Sequence, residues 1–289
     1  MKFHQASLLK STTFKVYIFA SMTAINTLGE PASFIYDGTF EGFLCVVFRA
    51  FELKRVPISI VKKNLWQPTI FNSCIEVESV IEQSDRVWTG IVKRSSASNA
   101  RMLHIAFQSE LPNIELQLWN YLKMLFDSGS NAQYKNTLNE HVFDILKIAR
   151  KVMSEVHRML GLIRFQLAAD GTYFAAIAPD HNILWLMDEH FKDRLADQQW
   201  IIYDTKRNIG LFYNLHEVIE VSFPVEPTST QEGRLTNEVK DPTEDYYCNL
   251  WQRYYKSINI TERKNTKQML GHMPRRYWKY LPEKDDLNG

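Results

Sequence analysis

Asp180, followed further on by Asp204, Thr205 and Lys206, superficially matches the acid and lysine pattern of metal-dependent nucleases. In that chemistry carboxylates hold a divalent ion while the lysine polarises the nucleophile or the phosphate. The helical spacing between the two acids spoils the match. Both carboxylates are expected on neighbouring strands of one hairpin, where turn capping is the competing role. His181 and His157 have no H-x-x-x-H, H-E-x-x-H or cysteine partner at metal-binding spacing, so no metal site is expected; His157 reads as a residue packed at a helix edge. Asp37 and Glu41 stand four apart, which can bring two carboxyls to one helix start. Capping and the helix dipole account for them without chemistry. The chain contains no P-loop, G-x-G-x-x-G or G-x-S-x-G, so the nucleotide-dependent and hydrolase classes lose their usual handles and no cofactor is expected.

A different chemistry is written in the charge distribution. Between Trp251 and Lys284 stand nine Lys or Arg (Arg253, Lys256, Arg263, Lys264, Lys267, Arg275, Arg276, Lys279 and Lys284) against Glu262 and Glu283 alone. The segment therefore carries +7; the whole chain is +1, so the rest carries −6. Trp251, Tyr254, Tyr255, Tyr277, Trp278 and Tyr280 are interleaved with these cations. Aromatic faces beside cations are what stacking on unpaired bases while neutralising phosphates requires. The competing role docks the aromatics on the core and leaves the charges as a solvated face.

The elements that must position these residues follow from periodicity. Phe40, Phe43, Leu44, Val47, Phe48 and Phe51 trace one face of a helix, with Phe34 to Tyr36 as a strand feeding it through Asp37, Gly38 and Thr39, and with Pro57 ending the unit. Cys74 to Glu82 alternates enough for a strand. Asp85 to Phe107 reads as one or two helices, and Pro112 marks another. The small polar loop at 127 to 133 is the best internal boundary. Leu146, Ala149, Met153, Val156 and Leu160 then give a long helix stopping at Gly161. Residues 162 to 179 read as a hairpin turning at Asp170 and Gly171, residues 200 to 214 as a second turning near Arg207 and Asn208, and 217 to 224 as a further strand. Ile183 to Ala196 is helical by spacing, and 225 to 243, rich in Pro, Thr, Ser and Glu, reads as a mobile linker. The expected fold is α+β, a mostly antiparallel sheet of hairpins packed with several helices.

With 289 residues, 45% apolar and 23% charged, the chain is long enough for one or two cores and is neither disordered nor collagen-like in composition. Three scattered cysteines suit a reducing cytoplasm rather than a disulfide framework. The longest tempting apolar run, at 17 to 21, falls far short of the ~20 residues a membrane span needs, so no membrane association is expected. Met22 reads as a natural start, with residues 1 to 33 an extension; the alternative is an added edge strand at Phe14 to Ala20.

Four strings carry a family resemblance: YDGTFEGFLCVVFRAFE at 36 to 52, EVHRMLGLIRF at 155 to 165, the stretch from Ala178 to Arg207, and LWQRYYKSINITERKNTKQMLGHMPRRYWKYLPE at 250 to 283. Together they resemble the bacterial family labelled "probable DNA metabolism protein", across 34 to 283, with 284 to 289 as a tail and with a possible helical half 34 to 130 and an α+β half 134 to 283. Members of that family are typically encoded beside a radical SAM protein of DNA repair or modification type, and some are fused to a uracil-DNA glycosylase-like domain, which is not expected after the RRYWKYLPE string here. The resemblance marks Tyr36, Asp37, Gly38, Glu41, His157, Arg158, Arg164, Asp180, His181, Asp204 and Arg207. It implies a context rather than a reaction.

The expectation is a cytoplasmic DNA-binding accessory protein of repair or modification that contacts nucleic acid through Lys256, Arg263, Lys264, Arg275, Arg276, Tyr277 and Trp278, with a radical SAM protein or a glycosylase-like protein as partner. Two alternatives stand beside it. One is an enzyme acting on damaged or modified nucleic acid through Asp180, His181, Asp204 or Glu41. The other is a purely protein-binding subunit.

Overall fold

The computed structural model describes residues 29–67, 74–128, 133–222, 230–231 and 233–287. The stretch Phe14 to Ala20 and Met22 lie outside the described residues, as does the middle of the 127 to 133 loop. The chain forms two compact units that divide between Ala149 and Arg150, inside a helix rather than at that loop.

In the first unit β1 (Glu30–Tyr36) is the central strand of a parallel sheet, flanked by β2 (Arg55–Lys62) and the short β3 (Cys74–Glu76). Ala32 to Tyr36 is buried at every position, Ser33 included, as in a strand covered on both faces. Helix α1 (Phe40–Glu52) crosses from β1 to β2 and buries Phe43, Leu44, Cys45, Val46 and Val47. Phe51, at the end of the expected stripe, is 38% exposed and meets Trp119 and Phe126 at ring distances of 5.1 and 5.7 Å. The helix stops at Leu53 and Lys54, whose φ is 53°, rather than at Pro57. Pro57 instead sits in β2, an edge strand, beside an irregularity in its register with β1, where a missing N–H is tolerated. Helices α2 (Ile81–Arg94), α3 (Ala97–Phe107) and α4 (Ile114–Asp127) complete the layer, with Ile91, Leu103, Leu118 and Tyr121 fully buried. Helix α5 (Glu140–Leu162) runs through the boundary.

The second unit is built on a five-stranded sheet ordered β4 (Gln166–Leu167), β5 (Tyr173–Ile177), β6 (Trp200–Asp204), β7 (Ile209–Tyr213) and β8 (Val218–Ser222). The two expected hairpins form, β4 with β5 around Gly171 and β6 with β7 around Asn208, both turns using a positive φ. The expectation of a mostly antiparallel hairpin sheet is corrected. β5 and β6 are parallel, Tyr173 opposite Trp200 through Ile177 opposite Asp204, and the first unit's sheet is parallel throughout. The reason is the segment between them: a 3-10 turn at Leu184–Leu186 and α6 (Asp188–Arg194) carry the chain back to the other end of the sheet, so β6 starts level with β5. Strand periodicity identifies strands but not the direction of a partner. Only the α+β class stands.

The expected mobile linker is also corrected over its described part. β9 (Thr230–Gln231) pairs with β10 (Arg234–Leu235), Thr230 is buried, and Lys240 bridges to Ala168. Helices α7 (Glu244–Ser257) and α8 (Thr266–His272), then 3-10 turns at Arg275–Tyr280 and Pro282–Leu287, end the described chain. Among the described residues no helix is long and apolar enough to cross a membrane.

Candidate functional site

The parallel pairing of β5 and β6 brings Asp180 and Asp204 to the same end of the sheet, the carboxyl end, where open α/β sheets place ligands. The residue that organises this end is Glu155 on α5, 1% exposed. Its Oε1 accepts from the Asp180 backbone N–H at 2.8 Å and from the Tyr277 hydroxyl at 2.5 Å, and its Oε2 accepts from the His181 N–H at 2.9 Å. Burial alone would raise the Glu155 carboxyl, but those three donors outweigh it and hold it below the usual carboxylate range. Burial and the Glu155 charge push the Tyr277 phenol well above its ordinary value. Arg276 adds an ion pair of 2.6 Å to the Asp180 carboxylate and donates to the Tyr277 oxygen at 2.7 Å.

Asp204 is fully buried. It accepts from the Lys206 N–H at 2.9 Å and from the Arg207 guanidinium at 2.6 Å; burial still raises it, with Arg207 pulling the other way. Arg207 also donates to the carbonyls of Pro179 and Asp180, at 3.3 and 3.1 Å, and the Lys206 amine reaches the Asp180 carbonyl at 3.0 Å. The nuclease-like pattern is therefore absorbed by structure. Lys206 holds a backbone carbonyl rather than facing a carboxylate pair, and each acid is matched by an arginine. Among the described residues no group of three His, Cys, Asp or Glu could hold a metal ion.

The other marked residues serve their own surroundings. Tyr36 donates to Glu115 at 2.8 Å inside the first unit. The Asp37 carboxylate accepts from the Thr39 N–H at 2.9 Å and from the Ser79 hydroxyl at 2.6 Å, Thr39 caps α1 through the Gly42 N–H, and Gly38 turns with φ 95°. Glu41 is exposed in the first turn of α1, where a carboxylate meets the positive end of the helix. His157 is exposed on α5, and the Arg158 Nε is buried without a hydrogen-bond partner among the described residues. Arg164 belongs to a separate group, paired with Glu283 at 2.7 Å and lying 5.1 Å from the Trp251 ring centre.

The basic segment sorts itself by side. Arg253, Lys256, Arg263, Lys264, Lys267, Arg275, Arg276 and Lys279 are exposed, whereas Lys284 is buried against the Tyr255 and Trp278 rings and donates to the Tyr255 hydroxyl at 2.7 Å. Tyr277 and Trp278 are 2% and 7% exposed, which removes them from any base-stacking surface. A 3-10 turn repeats every three residues, so Tyr277 and Tyr280 fall on one side, with Trp278 beside them, and all three face inward. The rings left most exposed are on α7: Tyr246, Tyr247 and Tyr254, whereas Trp251, 5.8 Å from Tyr254, is held by Arg164 against its ring and by its Nε1 donating to the buried Glu283 at 3.0 Å.

Sequence reasoning misses Glu155. Its one signal is position, three after Val152 and four before Met159, which places an acid on the buried stripe of α5. Arg276 reads from sequence as a nucleic-acid contact, and its partner Asp180 is not legible across a separation of nearly a hundred residues.

No curated protein matches the sequence. A family described as a domain of unknown function, DUF4130, matches residues 112–283, from the loop before α4 to the buried Glu283. That stretch is more than half of the chain and contains the whole β5 and β6 cluster together with the basic segment up to Glu283, and the chain belongs to the DUF4130 family.

Proposed function

We infer that the protein is a DNA-binding accessory factor of repair or modification, holding a strand on the exposed cations that follow the strand-bearing part of the second unit. One observation carries this reading: eight of the nine cations between Trp251 and Lys284 are exposed while three aromatics of the same segment are packed inward, so the charge is presented on a fixed support. Tyr246 and Tyr254, both more than half exposed, supply sequence-tolerant stacking faces beside it, an arrangement suited to single strands. The resemblance to the DNA metabolism family supports a radical SAM protein as partner. The enzymatic alternative is disfavoured because Asp180 and Asp204 are each committed to an arginine and Glu155 to three donors.

The test is fluorescence-anisotropy binding of single-stranded and duplex DNA across a salt series. Replacing Arg263, Lys264 and Lys267 together by alanine should weaken binding to all sequences and reduce the salt slope by about 0.7 for each single-strand phosphate no longer neutralised. Unchanged affinity and slope would overturn the surface.

A further inference from the structure

The second unit holds a partly open cavity of about 580 Å³, within the ordinary range for small-ligand sites. Phe165, Tyr173, Tyr247, Trp251 and Tyr280 all contribute to its wall. Its charges are already matched: Arg164 pairs with Glu283 at 2.7 Å, Lys240 with Asp245 at 2.7 Å, and Arg234 with Asp285, one contact of that pair being 3.0 Å. A site whose cations are all answered by carboxylates is a poor phosphate site and a good site for a flat, uncharged ring system.

Helix α7 joins this cavity to the surface. Glu244, Tyr247, Cys248 and Trp251 recur at i, i+3, i+4 and i+7 and line the cavity, while Arg253 stands on the far side of the same helix, exposed. Tyr254 continues the row of rings outward from Trp251. Glu244 supplies an oriented polar group: its Oε2 accepts from the Leu167 N–H at 2.9 Å, and burial raises its carboxyl above the ordinary range. A carboxyl edge amid aromatic faces can bond the amide or amine edge of a base while the rings stack on its plane.

We propose that this cavity receives a single nucleobase from the strand held on the basic surface, stacked against Tyr247 and Trp251 and bonded at its edge by Glu244, with the sugar-phosphate left outside. This rests on the reading that the surface binds DNA.

Cys248, half-buried in the cavity wall, is a built-in reporter. The full chain is titrated with a single strand and with a strand of equal charge made of abasic sites, while alkylation by N-ethylmaleimide is followed peptide by peptide, with Cys74 as the internal control. The base-bearing strand, held at about ten times its Kd, should slow Cys248 alkylation about tenfold because only the unoccupied cavity reacts. The abasic strand should not. Tyr247→Ala, at a 58% exposed position, should weaken the base-bearing strand by about fivefold or more and leave the abasic strand unchanged. Equal binding of both strands with Cys248 unprotected would overturn the cavity assignment and leave the surface reading standing. Protection by free thymidine without strand binding would support the base site and overturn the surface. Neither strand binding nor protection by nucleosides would overturn both.

Discussion

Both units place an acid at the carboxyl end of a parallel strand, and they use it in opposite ways. After β1, Asp37 serves its own turn and one later segment, accepting from Thr39 two residues on and from Ser79 42 residues on, and it is exposed. After β5 the acid that matters is not in the turn at all. Glu155 reaches in from a helix, is buried, and gathers donors 25, 26 and 122 residues away. A local cap adjusts one helix start, whereas a buried acceptor shared by three donors fixes three segments at once. The energetic stakes differ accordingly.

The sharpest way to break the comparison is Glu155→Ala. It strands two part-buried N–H groups and the buried Tyr277 hydroxyl and unbalances Arg276, so a loss of about 3–5 kcal/mol is expected in urea unfolding, with Glu155→Gln losing less. A loss below about 1 kcal/mol would erase the distinction between the two strand ends. Gly42→Ala probes the first unit: an added Cβ would stand 2.2 Å from the Asp37 Oδ1 and 2.8 Å from the Ser79 Oγ, forcing the cap apart. About 1–3 kcal/mol should be lost, read as a lowered thermal midpoint. Thr39→Ala removes the cap to the Gly42 N–H and the hydroxyl's 2.7 Å bond to the Asp37 carboxylate, and should cost about 1 kcal/mol by the same measurement.

Acid should sharpen the comparison further, and by the smallest amount. Burial holds the His104 imidazole of the first unit below its ordinary 6.5, so the unfolded chain takes up a proton that the folded chain resists. That stability is present above pH 6.5 and is lost as the pH falls through it. Glu155 in the second unit is held below 4.5, so its contribution is kept until the pH drops below 4.5 and is lost beneath that. Urea midpoints at pH 7, 5.5 and 4 should show the first loss in wild type and its absence in His104→Gln.

The same contrast explains what can be read in the sequence. Most helix and strand positions, the two hairpins, and the capping role of Thr39 depend on residues within a few positions of one another, and these are legible; the expected strand from Cys74 to Glu82 stops at Glu76 because α2 begins at Ile81, and the bond from Ser79 to Asp37 spans 42 residues. The parallel pairing of β5 and β6 depends on where a crossover lands, and Pro57 on which strand becomes an edge; neither leaves a local mark. The basic segment is legible as charge but not as surface, because only packing decides that Tyr254 faces outward while Tyr277 and Trp278 face inward. Glu155 needs partners from two later segments before an acid on an apolar stripe makes sense.

The 122-residue separation between Glu155 and Tyr277 also dictates an order of events as the chain is made. Closing a loop that long is entropically slow, and long-range contacts set the pace of folding. Helix α5 and the strands can form early, but the carboxylate they bury stays short of its hydroxyl partner until the Arg275–Tyr280 turn emerges and docks. The last synthesised part of the described chain therefore acts as a latch on the unit it completes. Hydrogen exchange at the Asp180 and His181 amides, both bonded to Glu155, should record the moment of closure: protection appearing before residue 277 is available would show that the latch is not needed.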